Sequence, residues 1–142
     1  IGLAAVQVGV LKRLIVIDID KYIIEQNKGS MEAPFLHGGQ PLIMINPEII
    51  EYSSEKSSYK EGCLSFPGIY TEIKRPKSIK VVYLDHLGKQ KHLSIADNLL
   101  CICVQHEVDH TEGKVFLDHI SRLKREFLVK KLLKQKKLSV NA

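Results

Sequence analysis

No apolar run in this chain approaches the roughly 20 residues a helix needs to span a bilayer, so a transmembrane anchor and a membrane partner are both excluded as expectations. Cysteine is scarce. Three thiols in 142 residues are an odd number, far too sparse for a disulfide scaffold, which points to reduced cysteines and an intracellular, cytoplasmic setting. No internal repeat or low-complexity tract is present, so solenoids and disordered linkers are set aside. An initiator methionine is also missing: Ile1 opens directly on an apolar, glycine-containing stretch. The expectation is a chain whose start lies upstream, and an organellar targeting segment therefore stays open.

What is present describes an ordinary globular protein, 44% hydrophobic and 26% charged. A length of 142 residues suits one domain, taken here as residues 1–142. The net charge of +5 is unevenly spread. Residues 120 to 142 hold eight of the 21 basic residues and one of the 16 acids, which makes that segment +7 and leaves the body at −2. Nucleic-acid contact is therefore expected only of the tail.

Leu14 to Asp20 reads as a strand, residues 26 to 41 as a long surface loop, and Leu42 to Ile45 as a short strand closed by Asn46-Pro47. Tyr70 to Lys74 is a strand candidate. Residues 77 to 93 read as a β-hairpin turning at Asp85-His86-Leu87-Gly88. Ser94, with Asp97 three residues on, resembles a capping box that starts a helix. Along that helix Ile95, Leu99, Ile102, Cys103, His106 and His110 share a face, Leu100, Val104 and Val108 form a second apolar row, and Gly113 ends it. Ser121 caps a second helix with Leu123, Phe127, Leu128 and Leu132 as its apolar stripe. Strands followed by segregated helices predict an α+β fold, antiparallel strands packed around a buried helix with a C-terminal helix after it.

The chemistry lies on the buried helix. His106-Glu107-Val108-Asp109-His110 is an H-E-x-x-H pattern. Histidines four apart stack one turn above the other, with Cβ atoms about 5–6 Å apart, which suits one metal ion. Glu107 is turned about 100° from His106, so it faces a metal-bound water better than the metal. The longer pattern H-E-x-x-H-x-x-G-x-x-H is matched through Gly113 and then fails, because Phe116 cannot ligate. A third ligand must come from elsewhere, and Cys63, His37, His86, His92 and His119 are all of a suitable type. A zinc endopeptidase and a non-catalytic RNA- or ribosome-binding protein, the latter through the basic tail, stand as readings beside a metallohydrolase.

Three segments narrow the choice. Ile1-Gly2-Leu3-Ala4-Ala5-Val6-Gln7, Glu61-Gly62-Cys63-Leu64-Ser65 and His106-Glu107-Val108-Asp109-His110 resemble, in order, the three signature motifs of the peptide deformylase family. Ala96-Asp97-Asn98-Leu99-Leu100 and Lys114-Val115-Phe116-Leu117-Asp118 are similar to bacterial members as well. The first motif normally begins one glycine earlier, and the family carries a further N-terminal segment. The resemblance implies removal of the formyl group from nascent formyl-methionyl peptides. It implies Cys63, His106 and His110 as ligands of one divalent ion: iron(II), with zinc, nickel or cobalt able to take its place. Glu107 becomes the proton shuttle, with Gln7 and the Leu64 amide as oxyanion donors. Ile1, Leu99, Ile102 and Cys103 would receive the methionine side chain, and Gly2 and Gly62 would lie along the peptide. The basic tail implies a ribosome contact.

Overall fold

The computed structural model describes residues 1–19, 40–96 and 99–141. Its strands are β1 (Gly2–Ala4), β2 (Leu14–Ile17), β3 (Leu42–Tyr52), β4 (Lys56–Cys63), β5 (Phe66–Pro76), β6 (Ser78–Leu84) and β7 (Gln90–Ala96). Two α-helices follow, α1 (Leu99–Thr111) and α2 (Arg122–Val140), with short 3₁₀ turns at Ala5–Val8 and Phe116–His119. Five strands form one antiparallel sheet in the order β1-β2-β3-β6-β7, and β4-β5 stand apart as a two-stranded ribbon. This is the expected α+β arrangement.

Alternation explains the sheet. Ile15 and Ile17 of β2, Met44 of β3 and Val81 of β6 point to one face and meet Leu100, Val104 and Val108 of α1. Ile15 is 0% exposed, so its replacement by alanine would leave a cavity costing about 2–5 kcal/mol. A second cluster gathers Ile69 and Ile73 of β5 with Phe116, Leu117 and Leu128. The ribbon β4-β5 is thereby held down by the 3₁₀ turn and α2. Nine of the 13 residues of α1 are buried, as its double apolar row requires.

Several local expectations hold. The hairpin of residues 77 to 93 is β6-β7, where the Asp85 carboxylate accepts from the Leu87 and Lys89 amides at 2.9 Å each. Gly113, at φ 74°, ends α1: its N–H donates to the His110 carbonyl and the Lys114 N–H to the Asp109 carbonyl, the pairing of a Schellman motif. Ser121 caps α2 by accepting from the Lys124 amide at 3.3 Å.

Others are corrected. Ser94 and Ile95 belong to β7 rather than to the helix, which is described over Leu99–Thr111, while Asp97 lies outside the described residues; pairing of Ser94 with Lys80 and Ile95 with Ile79 outweighs the local capping pattern. Asn46-Pro47 does not close β3. Asn46 takes φ 50°, the register shifts between Ile45 and Glu48, and the strand runs on to Tyr52. A bulge is where a strand tolerates a residue with no N–H to give, and Arg13 Nη2 donates to the Pro47 carbonyl at 2.8 Å to hold it. β5 is longer than Tyr70 to Lys74, and β4 was not foreseen. On α2 the packed residues are Leu128, Val129 and Leu132, while Leu123 and Phe127 are 80% and 68% exposed. Of the loop expected at 26 to 41, residues 26–39 lie outside the described residues, as does His37.

Candidate metal centre

Cys63 closes β4 at a register break between Gly62 and Cys63, where the ribbon turns through Leu64 and Ser65 into β5. The turn carries the thiol over the buried face of α1. There Cys63 Sγ and one ring nitrogen each of His106 and His110 all lie within 4.8 Å of one another. Sγ is 3.4 Å from His110 Nε2, and the two imidazole centroids are 5.0 Å apart. The helical spacing brings the histidines together, but only the tertiary fold brings Cys63 to them. Of the other ligand types considered, His86 and His92 are exposed on the β6-β7 hairpin and are not members of this cluster.

Electrostatics make the three groups a donor set. Burial alone would push the Cys63 thiol up, but hydrogen bonds from His106, His110 and the Ser65 amide outweigh it and bring the thiol down to about 5. Burial works against a charged His106, yet Cys63 and Glu61 together lift it to about 9. Cys63 is thus drawn towards the thiolate form that a metal ligand needs, and a divalent cation would compete with the proton that His106 attracts. A soft thiolate with two imidazoles suits zinc and first-row transition ions.

The surroundings fix these groups. His106 Nδ1 donates to Glu61 Oε1 at 2.9 Å, leaving Nε2 for the cluster. Glu61 is met by Arg75 at two points, Nε to Oε2 at 2.7 Å and Nη2 to Oε1 at 3.0 Å. Although burial would raise the Glu61 carboxyl, its bonds to His106 and Arg75 hold it below the usual range. Phe116, where the longer protease pattern would want a histidine, stacks on the His106 ring at 5.9 Å and 28°. None of Glu61, Arg75, Asp109 or this role of Phe116 was foreseen. The one available signal was Glu61 itself, an acid two residues before the cysteine and the only buried residue of β4.

Glu107 lies against Gly2 and faces the same cleft as Cys63 and His106. Its Oε2 is buried and has no hydrogen-bond partner among the described residues. Desolvation raises its pKa, against the pull of His106 and His110. Gln7 is held by the Ala4 N–H, which donates to Oε1 at 2.8 Å. Its Nε2 is thereby directed at Ser65 Oγ (3.1 Å) and Cys63 Sγ (3.5 Å).

A cleft of about 550 Å³ opens onto Cys63, His106 and Glu107. Ile1, Gly2, Gly62, Leu99, Ile102 and Cys103 all line it, as do Gln7 and Leu64. Leu64 is 77% exposed at its mouth. Burial and the nearby Glu107 push the Cys103 thiol up to about 12, so it lines the cleft as a neutral, small apolar group. Tyr59, Lys60 and Tyr70 of the ribbon also border it and were not foreseen. A separate hollow of about 400 Å³ between β3, β6 and β7 contains no member of the donor cluster.

Comparison with known proteins agrees over nearly the whole chain. The sequence profile of the family described as Polypeptide deformylase matches residues 1–126. A peptide deformylase of Bartonella tribocorum is 44% identical over 137 residues, covering 96% of this chain and 70% of that relative. One from Zymomonas mobilis is 48% identical over 138 residues, covering 97% and 72%. The crystal structure of peptide deformylase from Ehrlichia chaffeensis superposes with a TM-score of 0.80 at 40% identity, covering 98% of this chain and 75% of that one. A second structure of the Ehrlichia chaffeensis enzyme, in complex with actinonin, gives a TM-score of 0.77 at 42% identity over 94% and 72%.

Proposed function

This chain belongs to the peptide deformylase family, metal-dependent hydrolases that remove the N-formyl group from nascent polypeptides, and we propose that Cys63, His106 and His110 hold its metal while Glu107 moves the protons. The observation that carries this reading is the thiol and two imidazoles within 4.8 Å, beside a buried carboxylate oxygen that lacks a partner. That orphaned oxygen is what a proton acceptor for water needs.

A divalent ion bound at such a site supplies a Lewis acid and lowers the pKa of water towards about 7. The chain's own groups do the rest. Glu107 Oε2 takes a proton from the attacking water and delivers it to the amine nitrogen that leaves. Water and the formamide thereby become formate and a free N-terminus. Gln7 Nε2 and the Leu64 amide donate to the oxygen that gains charge. Ile1, Leu99, Ile102 and Cys103 receive the methionine side chain, and the Gly2 and Gly62 backbones lie along the peptide. Each methylene accepted in that slot contributes about 1–3 kcal/mol of discrimination.

Iron(II) is the metal we propose for the working enzyme, with zinc, nickel or cobalt as substitutes that the same donors accept. Residues 1–142 act as one catalytic unit, in a bacterial-type cytoplasmic or organellar setting. No helix among the described residues is long and apolar enough to cross a membrane. A second proposal concerns α2, which leaves Leu123 and Phe127 exposed among lysines: this basic helix contacts the ribosome, where the substrate emerges. The decisive experiment for the first proposal is deformylation of a formyl-Met peptide, measured together with metal content. Absence of turnover by the metal-loaded chain would defeat it.

A further inference from the structure

We propose that His119 is a positioning residue of the metal centre, acting through Asp109, Arg75 and Glu61 on His106. The inference rests on the ligand reading given above. His119 stands on the 3₁₀ turn Phe116–His119, and its Nε2 donates to Asp109 Oδ2 at 2.7 Å. The same oxygen accepts from Arg75 Nη1 at 2.9 Å. Nε2 and Nη1 lie 3.4 Å apart; with Nε2 carrying the proton it gives to Asp109, both are donors that converge on one acceptor and do not bond each other. Arg75 then grips Glu61 at two points, and Glu61 accepts from His106 Nδ1. Side-chain exposure falls along this path from 33% at His119 through 15% at Asp109 to 3% at Arg75 and Glu61.

The path has a second end on the same turn. Phe116 stacks on the face of His106, and residues three apart on a 3₁₀ helix share one side. One turn of four residues therefore holds the ring by its face through Phe116 and its Nδ1 edge through the chain of bonds from His119. The turn is itself secured: Asp118 Oδ2 accepts from the Val115 amide and Oδ1 pairs with Arg125 of α2 at 2.9 Å. Asp109 is the half-open link. Without the His119 donor its carboxylate can rotate towards solvent, Nη1 of Arg75 loses its anchor, and the two-point grip that orients Glu61 loosens. Groups that orient a ligating histidine set how tightly it keeps its metal.

The test loads the full chain with zinc alone and follows its release to an excess of a chromogenic chelator. Four variants are compared with the wild type: His119→Ala, His119→Gln, Asp109→Ala and the double variant His119→Ala/Asp109→Ala. His119→Ala should release zinc about tenfold faster, the low end of what loss of an outer partner costs. His119→Gln keeps a side-chain N–H donor and should stay close to the wild-type rate. Adding His119→Ala to Asp109→Ala should change little further, because the two residues act as one link. Unchanged release from His119→Ala, no rescue by glutamine, or additive effects in the double variant would each overturn the proposal. A wild-type chain that retains no zinc would instead overturn the ligand assignment, and the relay with it.

Discussion

Gly2 and Glu107 lie so close that a β-carbon built on the glycine would sit 2.8 Å from Oε1 and 2.9 Å from Cγ of the glutamate. The whole carboxyl arm, rather than its flexible tip, rests against the β1 backbone. Gly2→Ala should therefore displace the carboxylate from its place beside the thiol–imidazole cluster. A displacement of about 1 Å can cost about 10²-fold in rate, so turnover of a formyl-Met peptide should fall by that order with bound metal unchanged. Wild-type turnover in this variant would mean that the position of Glu107 does not limit the reaction.

Glu107→Gln keeps the size of the side chain and removes its ability to accept a proton. Loss of a general base lowers rates by about 10²–10⁴-fold, and that loss is expected here without loss of metal, because Glu107 lies outside the ligand cluster. Elemental analysis beside steady-state kinetics separates the two effects. Metal lost along with activity would make Glu107 a ligand and contradict the assigned role.

Cys63→Ser replaces a thiol already brought down to about 5 by its neighbours with a hydroxyl that hardly ionises. Metal affinity should fall sharply in competition with a chelator, since soft ions favour thiolate. Unchanged affinity would remove Cys63 from the ligand set and revive an endopeptidase-like site built on His106 and His110 with another third group.

Arg75→Met removes the two-point partner of Glu61 and leaves it His106 alone, at a site where the Arg75 and Glu61 side chains are only 3% exposed. Breaking a buried ion pair costs about 3–5 kcal/mol; the bond that His106 still gives Glu61 should hold the loss towards the low end, which urea denaturation of the chain without added metal should register as a lower midpoint. A near-zero change would mean that Glu61 finds another partner or takes up a proton without penalty.

Removal of residues 130 to 142 strips Lys130, Lys131, Lys134, Lys136 and Lys137 from α2 and leaves the buried Leu128 in place. If α2 contacts ribosomal phosphates, the full chain should co-sediment with ribosomes and the shortened one should not. Binding by the full chain should fall linearly in log–log form with salt, its slope set by the number of phosphates neutralised. Equal binding by both forms, or none by either, would leave these lysines as solvated surface.

Sequence by itself determined the elements whose information is local. His106 and His110 share a face because the helix repeats every 3.6 residues, and Gly113 ends that helix because it takes a left-handed conformation at little cost. The β6-β7 hairpin follows from its turn, and the three motif segments name the family. Tertiary structure decided what depends on partners distant in the chain. Cross-strand pairing claimed Ser94 and Ile95 for β7 against their helical pattern, and a bulge carried β3 past Asn46-Pro47. Packing of α2 through Leu128, Val129 and Leu132 left Leu123 and Phe127 outside. The centre divides in the same way. Its two histidines were legible from spacing, and Cys63 only by resemblance. The bonds joining Glu61, Arg75, Asp109 and His119 were not legible at all, because a charge is buried only where the fold supplies its counter-charge, and no local pattern records where that will be.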